Sequence, residues 1–123
     1  MNGHNIVVDT SVLVNFFNGS LTAKEALKSS DLWISGITEI EILSALTLTV
    51  IEKNLIKGFI KQATVIDLLS PIKEISIQLR ISKILKLPDA IIAATALHFD
   101  FPLLSYDKEF SKVKELNFIL LKN

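Results

Sequence analysis

Cysteine is absent from this chain of 123 residues, and arginine, proline and glycine are scarce. The lack of cysteine excludes a disulfide-stapled scaffold and any metal site built from thiolates, and it is compatible with the cytoplasm. Arg80 is the only arginine, and the formal net charge is zero because 13 basic residues balance 13 acidic ones. Binding to nucleic acid would therefore depend on a local cluster of positive charge and not on the overall field.

Long apolar runs are also missing. A membrane-spanning helix needs roughly 18–20 apolar residues, and the longest candidate, residues 34–51, carries Glu39 and Glu41 near its start. We therefore expect no membrane association. The mean hydropathy is nevertheless +0.46 with half of the residues hydrophobic, which predicts apolar surface buried against another chain. The N-terminus passes from Met1 into a strand-like run, so we expect no signal peptide and a cytoplasmic location.

Lysines on the predicted helices form the most visible basic cluster. They are Lys24, Lys28, Lys53, Lys57 and Lys61. They can form a nucleic-acid patch, or they can keep exposed helix surfaces soluble, which is the commoner role of lysine. The sequence leaves both interpretations open.

Predicted strands and helices alternate along the chain, without a repeat or a linker. β-branched apolar runs predict strands at residues 5–8, 32–35, 102–105 and 117–121. Capping residues, prolines and apolar stripes predict helices from Thr10 to the break at residues 18–20, and at 22–29, 37–52, 55–62, 71–84, 88–98 and 107–114. This order predicts a single α/β domain over residues 1–123, with three layers in which helices flank a central parallel sheet of about four strands.

Four acidic residues that are remote in sequence lie where predicted elements meet loops. Asp9 and Asp107 follow strands, whereas Glu41 and Asp89 lie near the starts of helices. In a parallel α/β sheet these positions share the edge formed by the carboxyl ends of the strands. Carboxylates that converge in apolar surroundings repel one another, and a divalent cation removes that repulsion. Oxygen ligands of this kind select Mg²⁺ or Mn²⁺.

Each acid also has a purely structural interpretation. Asp9 and Asp107 can cap helices, Glu41 can close a capping box with Thr38, and Asp89 can stabilise a helix N-terminus. These interpretations must act together to place all four acids on one edge, so we favour the metal site. Thr10 and Ser105 can orient the acids by hydrogen bonding, or they can serve as cap and turn residues.

Four segments of the chain resemble the motifs of PIN domains, most closely those of the VapC-type toxins of VapBC toxin–antitoxin systems. They are residues 6–13 (IVVDTSVL), 34–42 (ISGITEIEI), 87–97 (LPDAIIAATAL) and 103–110 (LLSYDKEF). The third is the most specific, and together the segments span almost the whole chain. The glutamate of the second motif falls on Glu41, not on Glu39.

The resemblance implies a metal-dependent endoribonuclease with a PIN-like fold. Asp9, Glu41, Asp89 and Asp107 would be its catalytic and metal-binding residues, with Ser105 and Thr10 in support. The cofactor would be Mg²⁺ or Mn²⁺, and the substrate RNA, with tRNA as one candidate. The resemblance further implies an antitoxin protein as partner and a homodimer, for which the helices of residues 37–62 are the candidate contact surface.

The chain departs from the family pattern at three positions. Ser105 stands where the family often has threonine, which keeps the hydroxyl group. Tyr106 stands where arginine is common, which removes a phosphate contact, and Ala45 stands where glycine is common. None of these changes affects the four acids.

Other functions remain open from the sequence. A PIN-like fold can bind RNA or protein without cutting, or can process RNA outside a toxin–antitoxin pair. Another metal-dependent α/β enzyme, such as a phosphatase, is a further alternative. A haloacid-dehalogenase-type enzyme would need a second aspartate two residues after Asp9, where Ser11 stands instead.

Overall fold

A parallel β-sheet forms the centre of the structure. The computed structural model describes residues 4–123, and Met1, Asn2 and Gly3 lie outside the described residues. Its strands are β1 (Asn5–Val8), β2 (Asp31–Ser35), β3 (Thr64–Ile66), β4 (Leu103–Ser105) and β5 (Phe118–Leu120). They are ordered β3-β2-β1-β4-β5, and every neighbouring pair is parallel.

Helices connect the strands and cover both faces of the sheet. They are α1 (Thr10–Phe17), α2 (Leu21–Leu27), α3 (Gly36–Leu43), α4 (Val50–Ile60), α5 (Ser70–Ile81) and α6 (Leu87–Phe99), followed by a 3-10 helix, Lys108–Lys112. Prolines lie in the first turns of α5 and α6, where the missing N–H of proline costs no hydrogen bond. The predicted α/β class, parallel sheet and flanking helices are confirmed.

The predicted continuous helix over residues 37–52 is wrong. Helix α3 ends at Leu43, and α4 begins at Val50. Thr49 and Glu52 form a capping box: Thr49 Oγ1 accepts from the Glu52 N–H at 3.1 Å, and Glu52 Oε1 accepts from the Thr49 N–H at 2.9 Å. The separate helix predicted at residues 55–62 is therefore the later part of α4.

Strand β3 was not among the predicted strands. Its three residues are all β-branched, but the run is short, and it pairs with β2 alone at one edge of the sheet. The sheet therefore has five strands where about four were predicted.

Two apolar clusters pack against opposite faces of the sheet. Ile6 and Val8 of β1 point into one cluster with α1, α2 and α4, whereas Val7 points into the other with α6. Alternate residues of a strand face opposite sides, so this short strand is buried from both. The result is the three-layer arrangement that the sequence predicts.

Candidate active site

The connections of the sheet change direction between β1 and β4. From β1 the chain builds β2 and β3 on one side, and then returns to place β4 and β5 on the other. Ligands of open α/β sheets bind in the crevice at this kind of switch point, beyond the carboxyl ends of the strands. Asp9 immediately follows β1 and Ser105 ends β4, so both lie at that crevice.

Asp9 is the most buried of the four acids, with 5% of its surface exposed. Its Oδ1 accepts from Ser11 Oγ at 2.6 Å and from the Val12 N–H at 3.4 Å, and its Oδ2 accepts from Ser105 Oγ at 2.7 Å. Burial raises the pKa of Asp9, the hydrogen bonds oppose that rise, and the charge of Asp107 adds to it. Asp9 also caps α1, so the cap role coexists with its place at the crevice.

Ser105 connects Asp9 to Asp107. Its buried hydroxyl donates to Asp9 and accepts from the Asp107 N–H at 2.9 Å. Asp107 in turn caps the 3-10 helix, because its Oδ1 accepts from the Glu109 N–H at 2.9 Å. One oxygen of Asp107 therefore stabilises the turn, and the structure records no hydrogen bond from residues 4–123 to its Oδ2.

Glu41 reaches the same region from α3. Thr10 Oγ1 donates to Glu41 Oε1 at 2.5 Å and lies 3.4 Å from the hydroxyl of Thr38. The cap of α3 is Ser35, so the capping box considered for Thr38 and Glu41 does not form. Glu39 lies elsewhere, in a shallow pocket with Asp67 and Leu68.

Asp89 lies in the first turn of α6 and is half-buried. Burial and then the charges of Asp107, Asp9 and Glu41 raise its pKa to about 6, while Lys86 opposes the rise. A carboxyl group responds in this way only to charges that are near it. The four acids therefore share one electrostatic environment at the carboxyl edge of the sheet.

Carboxylate oxygens that repel one another are the donor set of a hard divalent cation. Within residues 4–123, however, no three acidic or histidine side chains lie close enough together to hold one ion directly. Mg²⁺ in proteins commonly keeps several of its waters and takes only one or two carboxylates. The arrangement therefore fits a hydrated ion with one or two direct carboxylate ligands, and the assignment of the four acids as metal ligands stays a prediction.

Comparison with known proteins assigns this chain to a family. The sequence profile of the PIN domain matches residues 6–116. The chain belongs to the PIN domain family. None of the curated proteins compared matches this PIN domain significantly.

Several solved structures are similar to this PIN domain. A chain of a toxin–antitoxin complex from Klebsiella pneumoniae is 30% identical, with a TM-score of 0.80 over 90% of this chain and 94% of that one. A chain of VapBC2 from Rickettsia felis, bound to a DNA fragment from its promoter, is 19% identical, with a TM-score of 0.83 over 96% and 99%. VapC20 from Mycobacterium tuberculosis, described as a sarcin–ricin loop cleaving toxin, is 17% identical, with a TM-score of 0.68 over 91% and 97%. The last two likenesses show the fold alone.

The hydroxyl group of Tyr106 makes its hydrogen bonds within the protein. Its hydroxyl donates to Asn123 Oδ1 at 2.7 Å and lies 3.3 Å from Ser20 Oγ. Asn123 also donates to Asn15 Oδ1 at 2.8 Å. In this PIN domain, Tyr106 therefore binds Asn123, which in turn contacts Asn15 of α1.

The basic side chains that lie beside the acids were not predicted from the sequence. Arg80, Lys83, Lys86 and Lys112 line a pocket that also contains Asp89 and Asp107. They come from the end of α5, the α5–α6 loop and the 3-10 helix. Arg80, Lys83 and Lys86 are spaced three residues apart in the sequence, but only the folded chain shows that they lie beside Lys112 and two of the acids.

Exposed apolar side chains cover the outer surface of α3, α4 and the segment between them. Leu46 is fully exposed, and Ile40, Val50, Ile51 and Leu55 are each exposed by more than 60%. No helix of the described residues is long and apolar enough to cross a membrane. These side chains lie on the helices for which a subunit contact is predicted, and that contact stays a prediction.

Proposed function

We propose that this PIN domain is a metal-dependent endoribonuclease and the toxin of a toxin–antitoxin pair. The observation that carries the proposal is the gathering of four acids at the carboxyl edge of the sheet. Ser105 links Asp9 to Asp107 by hydrogen bonds, and burial, followed by the charges of the other three acids, raises the pKa of Asp89 to about 6. Like charges gathered at the crevice of an α/β sheet cost stability, and cation binding explains why a chain would keep them. The similarity to a chain of a toxin–antitoxin complex supports the toxin role.

Each acid has a proposed role in the reaction. Asp9 and Asp89 would hold Mg²⁺ or Mn²⁺ directly, and Glu41 and Asp107 would complete the site. The bound ion would neutralise charge on the phosphodiester and lower the pKa of a water. Asp107 or Glu41 accepts the proton of the water that attacks phosphorus, the P–O bond to the leaving nucleoside breaks, and the leaving oxygen takes a proton from solvent.

Hydroxyl groups hold these carboxylates in position. Ser105 donates to Asp9, and Thr10 donates to Glu41. A carboxylate that is fixed by a neighbouring donor loses less rotational freedom when it binds an ion. We propose that Ser105 and Thr10 act in this way as positioning residues.

RNA is the proposed substrate, with tRNA as one candidate. Support comes from the family and from VapC20, which is described as cleaving the sarcin–ricin loop. We further propose an antitoxin partner and a homodimer. The exposed apolar side chains of α3 and α4 supply the area that either contact needs.

A second candidate function is a module that binds RNA or protein without cutting. One observation favours it: no three acidic or histidine side chains of residues 4–123 can hold an ion directly. The two functions differ in whether the acids bind a cation with useful affinity. A metal-binding isotherm, measured together with a cleavage assay, separates them.

The decisive variant is Asp9→Asn. Asparagine keeps an oxygen for the Val12 and Ser11 hydrogen bonds, so the fold should persist, as circular dichroism can verify. We expect Mg²⁺-dependent cleavage of total RNA to fall by at least about 100-fold, because a direct ligand of the ion is lost. Asp31→Asn, at the opposite edge of the sheet, should cleave as the wild type does. Full cleavage by Asp9→Asn would remove the assignment.

A further inference from the structure

The pocket next to the acids has the size and charge of a binding site for a small anion. It encloses about 340 Å³ between the end of α5, the start of α6 and the 3-10 helix, within the range of roughly 300–1,000 Å³ that ligand sites occupy. Its lining contains four basic side chains and three acidic ones. Asp89 and Asp107 are among the lining residues, so an anion bound in the pocket lies beside the proposed cleavage position.

Three of the four cations have no acidic partner. Within residues 4–123 the salt bridges are those of Lys28 with Glu25 and of Lys112 with Glu109. The latter neutralises the only acid of the pocket outside the proposed metal site. Lys83 and Lys86 are exposed and make no ion pair in the described chain. The charge of Lys86 also acts on Asp89 and Glu109, but neither lysine is held in an ion pair of the described residues, so both can contact a ligand.

Arg80 is held in place by the loop that it faces. Its Nη1 donates to the carbonyl oxygen of Leu85 at 2.8 Å, which is the one hydrogen bond of its guanidinium group within residues 4–123. Guanidinium carries five N–H donors in a planar fork that matches two phosphate oxygens. The contact with Leu85 fixes the orientation of the group and leaves donors for an anion.

Lys83 occupies a backbone conformation that favours glycine. Its φ is +57°, just after the end of α5, and Asp100 after α6 is the only other non-glycine residue of the described chain with positive φ. Glycine would adopt this conformation without strain. A lysine at this position costs local stability and adds a positive charge to the lining of the pocket.

We propose that this pocket binds a phosphate of the RNA strand next to the phosphate that is cleaved, and that Arg80, Lys83 and Lys86 are the residues that bind it. The inference rests on the proposed ribonuclease function and names the part of its site that positions the strand. The pocket contains no aromatic side chain on which a base could stack. It therefore contributes affinity and register through the backbone and does not read sequence.

Binding and cleavage are measured separately to test the proposal. Fluorescence anisotropy with a labelled single-stranded oligoribonucleotide, in EDTA, reports binding without cleavage. For single strands, the logarithm of affinity falls by about 0.7 per tenfold rise in salt for each phosphate contact. We expect Lys83→Gly and Lys86→Gln each to weaken binding roughly fivefold at 0.1 M salt and to lower this slope by about 0.7.

Matched variants exclude trivial explanations. Lys83→Gly also relieves backbone strain, so it should raise the melting temperature while weakening RNA binding, which a merely structural lysine would not do. Asp100→Gly relieves the same strain after α6 and should leave RNA affinity unchanged. Lys24→Gln removes a lysine of the α2–α4 cluster and should also bind RNA as the wild type does. In cleavage assays with Mg²⁺, the pocket variants should raise KM with little change in kcat.

Each outcome decides one proposal. If Lys83→Gly and Lys86→Gln bind RNA as tightly as the wild type, or if Lys24→Gln alone weakens binding, the pocket assignment is wrong even where the wild type cleaves RNA. If the wild type binds RNA through the pocket but never cleaves it with Mg²⁺ or Mn²⁺, the ribonuclease function is wrong and the pocket assignment stands as that of an RNA-binding module.

Discussion

Ser105 Oγ donates a hydrogen bond of 2.7 Å to Asp9 Oδ2, which joins two residues 96 positions apart in the sequence. The same hydroxyl accepts from the Asp107 N–H. Both partners lie at the carboxyl edge of the sheet, and Ser105 itself has no exposed surface. One hydroxyl group thus fixes the positions of two acids of the candidate site.

Ser105→Ala should destabilise the protein. The change leaves a buried oxygen of Asp9 and the N–H of Asp107 without their partner, which costs on the order of 1–3 kcal/mol in the free energy of unfolding. Urea denaturation measures it. Ser82→Ala is the control, because the Ser82 hydroxyl bonds only the exposed carbonyl of Gln78, and its effect should stay within about 0.5 kcal/mol. Equal effects for the two variants would contradict the importance of this contact.

Asp89 should make the metal-free protein less stable as pH rises from about 4 to about 6. Folding raises the pKa of Asp89 from its ordinary value of 3.8 to about 6, so in this window the folded state binds more protons than the unfolded state. The free energy of unfolding therefore falls as pH increases.

Asp89→Asn tests this dependence, since it removes the charge. In EDTA at pH 7 we expect the variant to be more stable than the wild type by on the order of 1 kcal/mol, after allowance for solvent screening of a half-buried group. Below pH 3.5 or so, where Asp89 is protonated in both states, the two proteins should have equal stability. If the wild type is as stable as Asp89→Asn at pH 7, then the burial of Asp89 and its repulsion by the other acids do not lower the stability of the protein.

Glu41 and Glu39 should differ in their influence on Asp89. The charge of Glu41 contributes to the raised pKa of Asp89, whereas Glu39 lies in a separate pocket with Asp67. Glu41→Gln should therefore lower the pKa of Asp89 from its wild-type value of about 6. Glu39→Gln should leave that pKa unchanged. Carboxyl-selective NMR titration in EDTA measures both. If only Glu39→Gln shifts the pKa of Asp89, then Glu39 and not Glu41 is the glutamate that lies near Asp89.

The exposed apolar surface of α3 and α4 should mediate self-association. We expect the wild type to sediment as a dimer at micromolar concentration, and Leu46→Lys combined with Ile51→Lys to sediment as a monomer, because charge at the centre of an apolar contact is costly. Both side chains are highly exposed, so the folded monomer should lose no more than about 0.5 kcal/mol per change. Leu21→Lys, exposed on α2, serves as control. A monomeric wild type would contradict the dimer.

The fold was predictable where local signals are strong. The β-branched run before Asp9, the break at residues 18–20 and the prolines in the first turns of α5 and α6 each mark the start or end of an element that the structure contains. The break between α3 and α4 had a signal as well, the Thr49–Glu52 capping box, but the apolar residues around it favoured a continuous helix. Strand β3 had only a weak signal, a run of three β-branched residues.

The common position of the four acids at one edge of the sheet was predictable, and the side chains that surround them were not. Strand ends and helix starts are recognisable in the sequence, and sheet topology brings them to one edge. The hydrogen bonds of Ser105 with Asp9 and of Thr10 with Glu41 agree with the orienting role that the hydroxyls suggested. The basic pocket was only partly visible in the sequence: Arg80, Lys83 and Lys86 lie within seven residues, but they meet Lys112 and the acids only after α5, α6 and the 3-10 helix have packed.

The parallel pairing of β1 with β4 has a consequence for synthesis. A ribosome that has reached Asp100 has already made Asp9, Glu41 and Asp89, but neither β4, which must pair with β1 through Val7 and Leu103, nor the hydroxyl of Ser105 exists yet. The nascent polypeptide therefore cannot bring the four acids to one edge of the sheet before β4 has paired with β1. Under the proposed function, the chain stays inactive until that pairing forms.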